Sequence, residues 1–86
     1  ARAEAACRKA VALHTTLLAA SPDDPDANAA AAEARSFLGH TLAVTGNYGG
    51  ALAEYAVAVH LADKAVAADP ADAEGTLTLI RARSNL

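Results

Sequence analysis

The chain has 86 residues and a net charge of −3, and 26 of its residues are alanine, so its 53% hydrophobic content supplies little bulk. This length allows a single domain, and because each alanine buries little area, the helices of such a domain must pack very close together. The seven basic residues are scattered and every apolar run is interrupted before ~18 residues, so neither a nucleic-acid-binding face nor a membrane span is expected.

The first half of the chain contains two predicted helices, because small and apolar residues recur there at helical spacing in two blocks. The first helix is predicted at about residues 3–20 and the second at about 25–45. Between them the sequence SPDDPD breaks the pattern, since Asp24 suits an N-cap and Pro25 suits the first helical position. The predicted buried stripe of the first helix includes Ala3, Cys7, Ala10, Leu13 or His14, and Leu17.

The second half contains two more predicted helices, at about 48–68 and 73–86. Gly46 can adopt the left-handed conformation that ends a helix, Asn47 can cap the third helix, and Asp72 can cap the fourth. No segment alternates as a strand does, so we predict an all-α fold of antiparallel helix–turn–helix pairs with four helices. The predicted pattern of the fourth helix continues through Leu77, Ile80 and Ser84.

The sequence is similar to itself at an offset of 48 residues, where 13 of 38 aligned positions are identical. Shared alanines raise this number, but two of the matched patterns do not depend on alanine richness. They are Pro22-x-Asp24 with Pro70-x-Asp72, and Ala34-Arg35-Ser36-x-Leu38 with Ala82-Arg83-Ser84-x-Leu86. A fixed period of this size is typical of helical repeat proteins. The chain then contains half a unit, one whole helix–turn–helix unit and half of another.

A set of small and large residues surrounds the turn between the second and third predicted helices. It consists of Leu38-Gly39, Leu42, Gly46-x-Tyr48, Ala51, Tyr55, Ala58 and the later Pro70. This set resembles the tetratricopeptide repeat (TPR), a helix–turn–helix unit with a Leu-Gly pair, a turn, and then Ala, a large residue, Ala and Pro. The resemblance implies that Gly39 lies opposite Ala51 or Ala58 where two helices approach closely, with Tyr55 filling the space between the small residues.

Two departures from the TPR pattern point to a long-helix variety with a period of about 48 residues. Arg35 stands where the family has a large aromatic residue, three positions before the Leu-Gly pair. The distance from Ala58 to Pro70 is twelve residues instead of the family's five. Seven added residues are close to two helical turns, so the buried face of the longer helix stays nearly unchanged.

The TPR resemblance implies a function as a non-catalytic protein–protein interaction scaffold, a fragment of an α-solenoid that needs no cofactor. The partner would be a protein or peptide bound along the concave face of the second and fourth helices. We expect a cytoplasmic protein, because a lone Cys7 favours a reducing compartment, and a piece of a longer protein, because methionine is absent even at residue 1. The implied groove residues are Glu33, Ser36, His40, Ala43, Val44, Arg81 and Ser84.

The fourth predicted helix has no antiparallel partner of its own, although it carries Leu77, Leu79, Ile80 and Leu86. Exposed apolar patches of this kind tend to associate. We therefore expect self-association through the C-terminal helix, most simply as a dimer with two-fold symmetry. The alternative is a frayed C-terminal helix on a monomer.

The alternative function is the binding of a ligand or a metal by a small helical bundle, with or without enzymatic activity. Glu33, Ser36 and His40 share one helix face and have the residue types of a hydrolytic triad, but side chains on one straight helix rarely converge in that way. His14 and His60 lie on other helices, and no spacing places two histidine ligands on one face. Neither catalysis nor a metal site is therefore expected.

Overall fold

The computed structural model describes residues 2–71 and 73–85, and within these ranges the backbone forms α-helices and no strand. The all-α prediction is confirmed, and the predicted helix bounds differ from the observed ones by at most two residues. The predicted cap Asp72 and the last residue, Leu86, lie outside the described residues. The helices are α1 (Arg2–Ala20), α2 (Pro25–Val44), α3 (Tyr48–Ala68) and α4 (Ala73–Ser84).

The connection between α1 and α2 is fixed by two side chains at the start of α2. Asp24 is the N-cap, as predicted, and its carboxylate accepts a hydrogen bond of 3.0 Å from the backbone N–H of Asp26. The amide of Asn28 is buried and donates to the carbonyl oxygens of Pro22 and Asp24, at 3.0 and 2.9 Å. These bonds hold the connection against the first turn of α2.

The connection between α2 and α3 is a hydrogen-bonded reversal of the chain. Gly46 has a φ of 90°, as predicted from its position, and its N–H donates to the carbonyl of Ala43 at 3.1 Å. The N–H of Asn47 reaches back to the carbonyl of Leu42 at 2.8 Å, which completes a Schellman motif. The side chain of Asn47 then caps α3 by accepting from the N–H of Gly50 at 3.0 Å.

The helices pack so that α2 lies at the centre of the molecule. α2 packs against α1, α3 and α4, and α4 also packs against α3. Consecutive helices are therefore neighbours, and α2 and α4 meet although α3 lies between them in the sequence. This arrangement places two α-helices of the same orientation side by side and creates a surface between them.

One part of the core contains large side chains and is here called the tyrosine cluster. It consists of Leu38, Leu42, Ala51 and Tyr55. The half-buried Cys7, Val11 and Ala43 pack against it. At Gly39 the structure agrees with the expectation that Tyr55 fills the space between the small residues. A Cβ atom at Gly39 would lie 2.5 Å from Cε1 of Tyr55, so the missing side chain makes room for the tyrosine ring.

The second part of the core is made of small side chains and is here called the alanine cluster. Val59, Leu61 and Leu79 are partly buried against it. Because alanine extends only one carbon from the backbone, α2, α3 and α4 must approach closely for these residues to touch. The cluster consists of Ala32, Ala58, Ala62 and Ala82.

The buried faces of α1 and α4 differ from the predicted stripes. On α1 the predicted Cys7, Ala10 and His14 are half-buried, whereas the predicted Ala3, Leu13 and Leu17 are exposed. Val11 and Leu18 are half-buried in their place. Leu77 and Ile80 are exposed on α4, whose buried residues are Gly75, Thr78 and Ala82. The cause is that each of these helices is covered on one side only, so leucines turned away from that side remain in solvent. None of the helices in the described ranges combines the length and apolarity needed to cross a bilayer.

Candidate functional site

A groove runs between α2 and α4 and consists of two adjoining hollows of about 450 and 400 Å³. We call it the α2–α4 groove. Three side chains, Glu33, Thr78 and Arg81, belong to both hollows and separate them. The first hollow is lined in addition by Asp26, Ala29, Ala30 and Leu77, and the second by Ser36, Phe37, His40, Ile80, Ser84 and Asn85.

The division between the hollows is a bridge of polar side chains from the two helices. The Thr78 hydroxyl donates to Oε1 of Glu33 at 3.4 Å, and Nη1 of Arg81 lies 3.9 Å from the same oxygen. Both charged side chains are about half exposed or more, so the ion pair is screened by solvent and stabilises the fold little. Its effect is mainly to place one acidic and one basic group at the middle of the groove.

The second hollow combines exposed apolar side chains with hydrogen-bonding groups. Phe37 from α2 and Ile80 from α4 are both more exposed to solvent than buried, although each is large and apolar. Ser36 and Ser84, which are equivalent positions of the 48-residue repeat, add hydroxyl groups. Concave surfaces with apolar area and a few polar groups are typical of binding sites.

His40 is held in the groove by a residue of the core. Its Nδ1 lies 3.0 Å from the hydroxyl of Tyr55, and the two rings meet edge to face with centroids 5.4 Å apart. Tyr55 is buried in the tyrosine cluster and fits there because position 39 is glycine. The core therefore fixes the orientation of a groove side chain, which reduces the entropy that binding would cost.

Five of the seven groove residues predicted from the sequence line the second hollow: Glu33, Ser36, His40, Arg81 and Ser84. The other two do not line either hollow. Ala43 packs against the tyrosine cluster, and Val44 is 88% exposed at the end of α2. The reason is the register of α2 against α4. Glu33 lies beside Arg81, three residues before the end of α4, so the part of α2 after His40 has no part of α4 beside it.

Phe37 and Ile80 are groove residues that the sequence reasoning missed. Phe37 is the single phenylalanine of the chain, and it is four residues after Glu33 and three before His40. That spacing places all three residues on one helix face, so the spacing alone could have identified Phe37 as a groove residue. Ile80 was assigned to the buried stripe of α4, and nothing in the sequence separates an apolar groove residue from an apolar core residue.

The hydrogen bonds that a hydrolytic triad would need are not formed by Glu33, Ser36 and His40. His40 bonds to Tyr55 and Glu33 to Thr78, and no hydrogen bond joins Ser36 to either of them. Within residues 2–71 and 73–85, no three His, Cys, Asp or Glu side chains are grouped as metal ligands would be. The geometry of the groove is that of a surface with mixed polarity.

Comparison with known proteins leaves the groove as the principal guide to function. No model of a protein family matches this chain, and no curated protein or solved structure does. Membership of the TPR-like family therefore remains a prediction from the residues around Gly39, Gly46 and Tyr55.

Proposed function

We propose that the protein is a non-catalytic interaction module that binds a peptide segment of a partner protein in the α2–α4 groove. The observation that carries the proposal is the second hollow, where Phe37 and Ile80 expose apolar surface inside a concavity. Large apolar side chains exposed in this setting are where partners of soluble proteins usually dock.

The helix arrangement supports the same function and a TPR-like repeat architecture. Consecutive helices pack as neighbours, and α2 also contacts α4, which is its equivalent in the 48-residue repeat. In such an arrangement the helices of one kind line one continuous face, and a face of this kind is the binding surface of helical repeat proteins. Ala32 of α2 and Ala82 of α4 both belong to the alanine cluster, so the core sets the spacing of the two helices that line the groove.

The charges of the groove define the peptide that would fit. The first hollow contains the carboxylates of Asp26 and Glu33 and the guanidinium of Arg81, so acidic groups outnumber basic ones there. The second hollow offers apolar surface from Phe37 and Ile80. We therefore propose a segment with an apolar residue for the second hollow and a Lys or Arg for the first.

Selection from a displayed peptide library tests the proposal. Selected peptides should carry this pair of residues, and Phe37→Ala should weaken their binding about tenfold, which corresponds to ~1.4 kcal/mol. The matched control is Val44→Ala, because Val44 is also apolar, exposed and on α2 but lies outside the groove. Dissociation constants would be measured by fluorescence anisotropy with a labelled selected peptide.

Two outcomes would contradict the proposal. One is a set of selected peptides whose affinity falls equally with Phe37→Ala and Val44→Ala, since binding would then not depend on the groove. The other is a library that yields no peptide with a dissociation constant below about 100 μM, a weak affinity of only ~5.5 kcal/mol.

A further inference from the structure

We infer that His40 is a hydrogen-bond donor in the second hollow, through its Nε2–H, and that it binds a main-chain carbonyl group of the peptide. Tyr55 of the core sets the imidazole tautomer that makes this donor, and it is therefore a positioning residue for binding. The inference rests on the proposed function for the nature of the ligand, whereas the tautomer of His40 is a property of the free protein.

The contact between His40 and Tyr55 occupies one of the two ring nitrogens. Nδ1 lies 3.0 Å from the phenolic oxygen, which is hydrogen-bond distance. A neutral imidazole has one nitrogen that donates and one that accepts, and the partner of one nitrogen decides the role of the other. The state of Nε2 thus follows from which side chain supplies the hydrogen in this contact.

The burial of Tyr55 decides the direction of the hydrogen bond. The residue is 7% exposed, and among residues 2–71 and 73–85 its hydroxyl has no second hydrogen-bond partner. If Nδ1–H were the donor, the hydroxyl hydrogen would have no acceptor in this part of the protein, and an unsatisfied buried donor costs ~1–3 kcal/mol. The hydroxyl therefore donates to Nδ1, and the imidazole hydrogen is on Nε2.

Gly39 is the reason that the phenol reaches His40. The ring of Tyr55 lies next to α2 at position 39, where a Cβ atom would be 2.5 Å from Cε1. The hydroxyl at the end of the same ring meets the side chain of the next residue along α2. A glycine in the core and a donor in the groove are therefore linked through one tyrosine.

The surroundings of His40 favour a neutral acceptor. The side chain is exposed and lines the second hollow, and the described residues provide no hydrogen-bond partner for its Nε2. The charged side chains that line this hollow are Glu33 and Arg81, which lie 3.9 Å apart and offset each other. A main-chain carbonyl satisfies Nε2–H without placing a second negative charge in the hollow with Glu33, and every residue of a peptide supplies one.

Phe37 limits which carbonyl of the peptide can reach Nε2–H. Phe37 and His40 are three residues apart on one face of α2, and both line the second hollow. Side chains at this spacing have their Cβ atoms about 5–6 Å apart. The carbonyl should therefore belong to the apolar residue of the peptide that contacts Phe37, or to a residue within about two positions of it.

Side-chain NMR of the free protein tests the tautomer of His40. In weakly alkaline buffer, long-range hydrogen–nitrogen correlation spectra distinguish the protonated nitrogen of an imidazole from the unprotonated one. His40 should show Nε2–H alone. His60 is the reference, because it is exposed and has no hydrogen-bond partner among the described residues, so it should show an average of both tautomers.

Two conservative variants connect this tautomer to the core. Tyr55→Phe removes only the hydroxyl, so the ring still fills the tyrosine cluster, and the His40 signals should become similar to those of His60. Tyr48→Phe is the matched control, because Tyr48 is on the same helix but is 68% exposed. It should leave the His40 signals unchanged.

The carbonyl is tested with the selected peptide of highest affinity. Each of its peptide bonds is replaced in turn by an ester, whose carbonyl oxygen accepts hydrogen bonds more weakly. His40→Ala should raise the dissociation constant about two- to tenfold, and His60→Ala should leave it unchanged. One ester near the apolar residue should weaken binding to the unaltered protein and should have a smaller effect on binding to His40→Ala.

Two results would overturn the inference. His40 signals that show Nδ1–H, or the same average as His60, would mean that Tyr55 does not set the donor. Ester effects that are equal in the unaltered protein and in His40→Ala would mean that His40 binds no main-chain carbonyl. The NMR measurement needs no peptide, and equal ester effects would leave the loss of affinity in Phe37→Ala in place, so either failure is distinguishable from failure of the proposed function.

Discussion

The two parts of the core fill the space between helices by opposite means. In the tyrosine cluster, a large ring from α3 enters a space on α2 that exists because residue 39 is glycine. In the alanine cluster, the buried side chains that meet are the single methyl groups of Ala32, Ala58, Ala62 and Ala82. The first part therefore depends on the shape of one side chain, and the second depends on the absence of side-chain volume at several positions.

This difference teaches where the chain tolerates added volume. Close-packed interiors have few voids, so an added methylene must displace something. In the alanine cluster the neighbours to be displaced are the backbones of whole helices, whereas in the tyrosine cluster the neighbour is a ring with its own rotamers. Added volume should accordingly destabilise the alanine cluster more.

The largest effect is expected at the centre of the alanine cluster. Ala58→Leu inserts a branched side chain at a fully buried position and should lower the free energy of unfolding by about 1–3 kcal/mol. Ala56→Leu is the control, because Ala56 is exposed on the same helix and its change should stay within about 0.5 kcal/mol. Urea titration of the helical signal measures both values, and equal losses would contradict the assigned buried face.

A smaller effect is expected at the tyrosine cluster. In Gly39→Ala the new methyl group meets the ring of Tyr55, and the overpacking is partly offset by the ~1 kcal/mol that alanine gains over glycine in a helix. We expect a net loss of about 1 kcal/mol. In Gly49→Ala a Cβ atom meets nothing within 4 Å, so this control should be neutral or stabilising.

Urea titration can also test whether the ring of Tyr55 causes the loss of stability in Gly39→Ala. If the clash with the ring is the reason, Gly39→Ala should no longer destabilise the protein when Tyr55 is replaced by leucine. An unchanged loss in that background would show that the tyrosine ring is not the obstacle.

The smallest loss of stability is expected when either of two equivalent arginines of the repeat, Arg35 or Arg83, is replaced. Arg35 bonds to Glu54 at 2.9 Å with side chains 27% and 17% exposed, and Arg83 bonds to Asp63 at 3.0 Å with side chains 62% and 49% exposed. Arg35→Ala should cost about 1 kcal/mol, and Arg83→Ala a few tenths, because solvent screens the exposed pair. Urea titrations at 0.05 and 0.5 M salt should show that only the Arg83 effect disappears, and a larger loss at Arg83 would reverse this ranking.

Arg35 forms an ion pair in the structure. Arg35 stands where the TPR pattern has an aromatic residue, and its guanidinium reaches the half-buried Glu54 of α3. The contact between α2 and α3 at this position is therefore an ion pair instead of a ring contact. The sequence contains both residues, but nothing in it indicates that positions 19 apart on two helices would meet.

The features of the fold that could be predicted are those that depend on residues adjacent in the sequence. The cap at Asp24, the left-handed Gly46 and the helix bounds depend on local backbone chemistry, and the structure has them. The buried faces of α1 and α4 were predicted less well. An alanine-rich helix carries a weak difference between its faces, so the neighbours that cover it decide which leucines are buried.

Some residues of the candidate site can be predicted from their spacing along one helix, and others depend on contacts between helices. Residues 33, 36 and 40 share a helix face by spacing alone, which a sequence reveals. The pairing of His40 with Tyr55 depends on how α2 and α3 meet, and no local pattern reports it. Val44 was placed in the groove because the register of α2 against α4 could not be read from spacing.

The hydrogen-bonded reversal between α2 and α3 has a consequence for the order in which the chain folds. Closing so short a connection costs little chain entropy, and the backbone N–H groups of Thr45, Gly46 and Asn47 donate to carbonyl oxygens at the end of α2. The α2–α3 hairpin should therefore form in the folding transition state, with α1 and α4 docking onto it afterwards. Stopped-flow kinetics should give a φ-value for Asn47→Ala well above that for Ala82→Gly in α4. The reverse ranking would mean that folding begins at the alanine cluster.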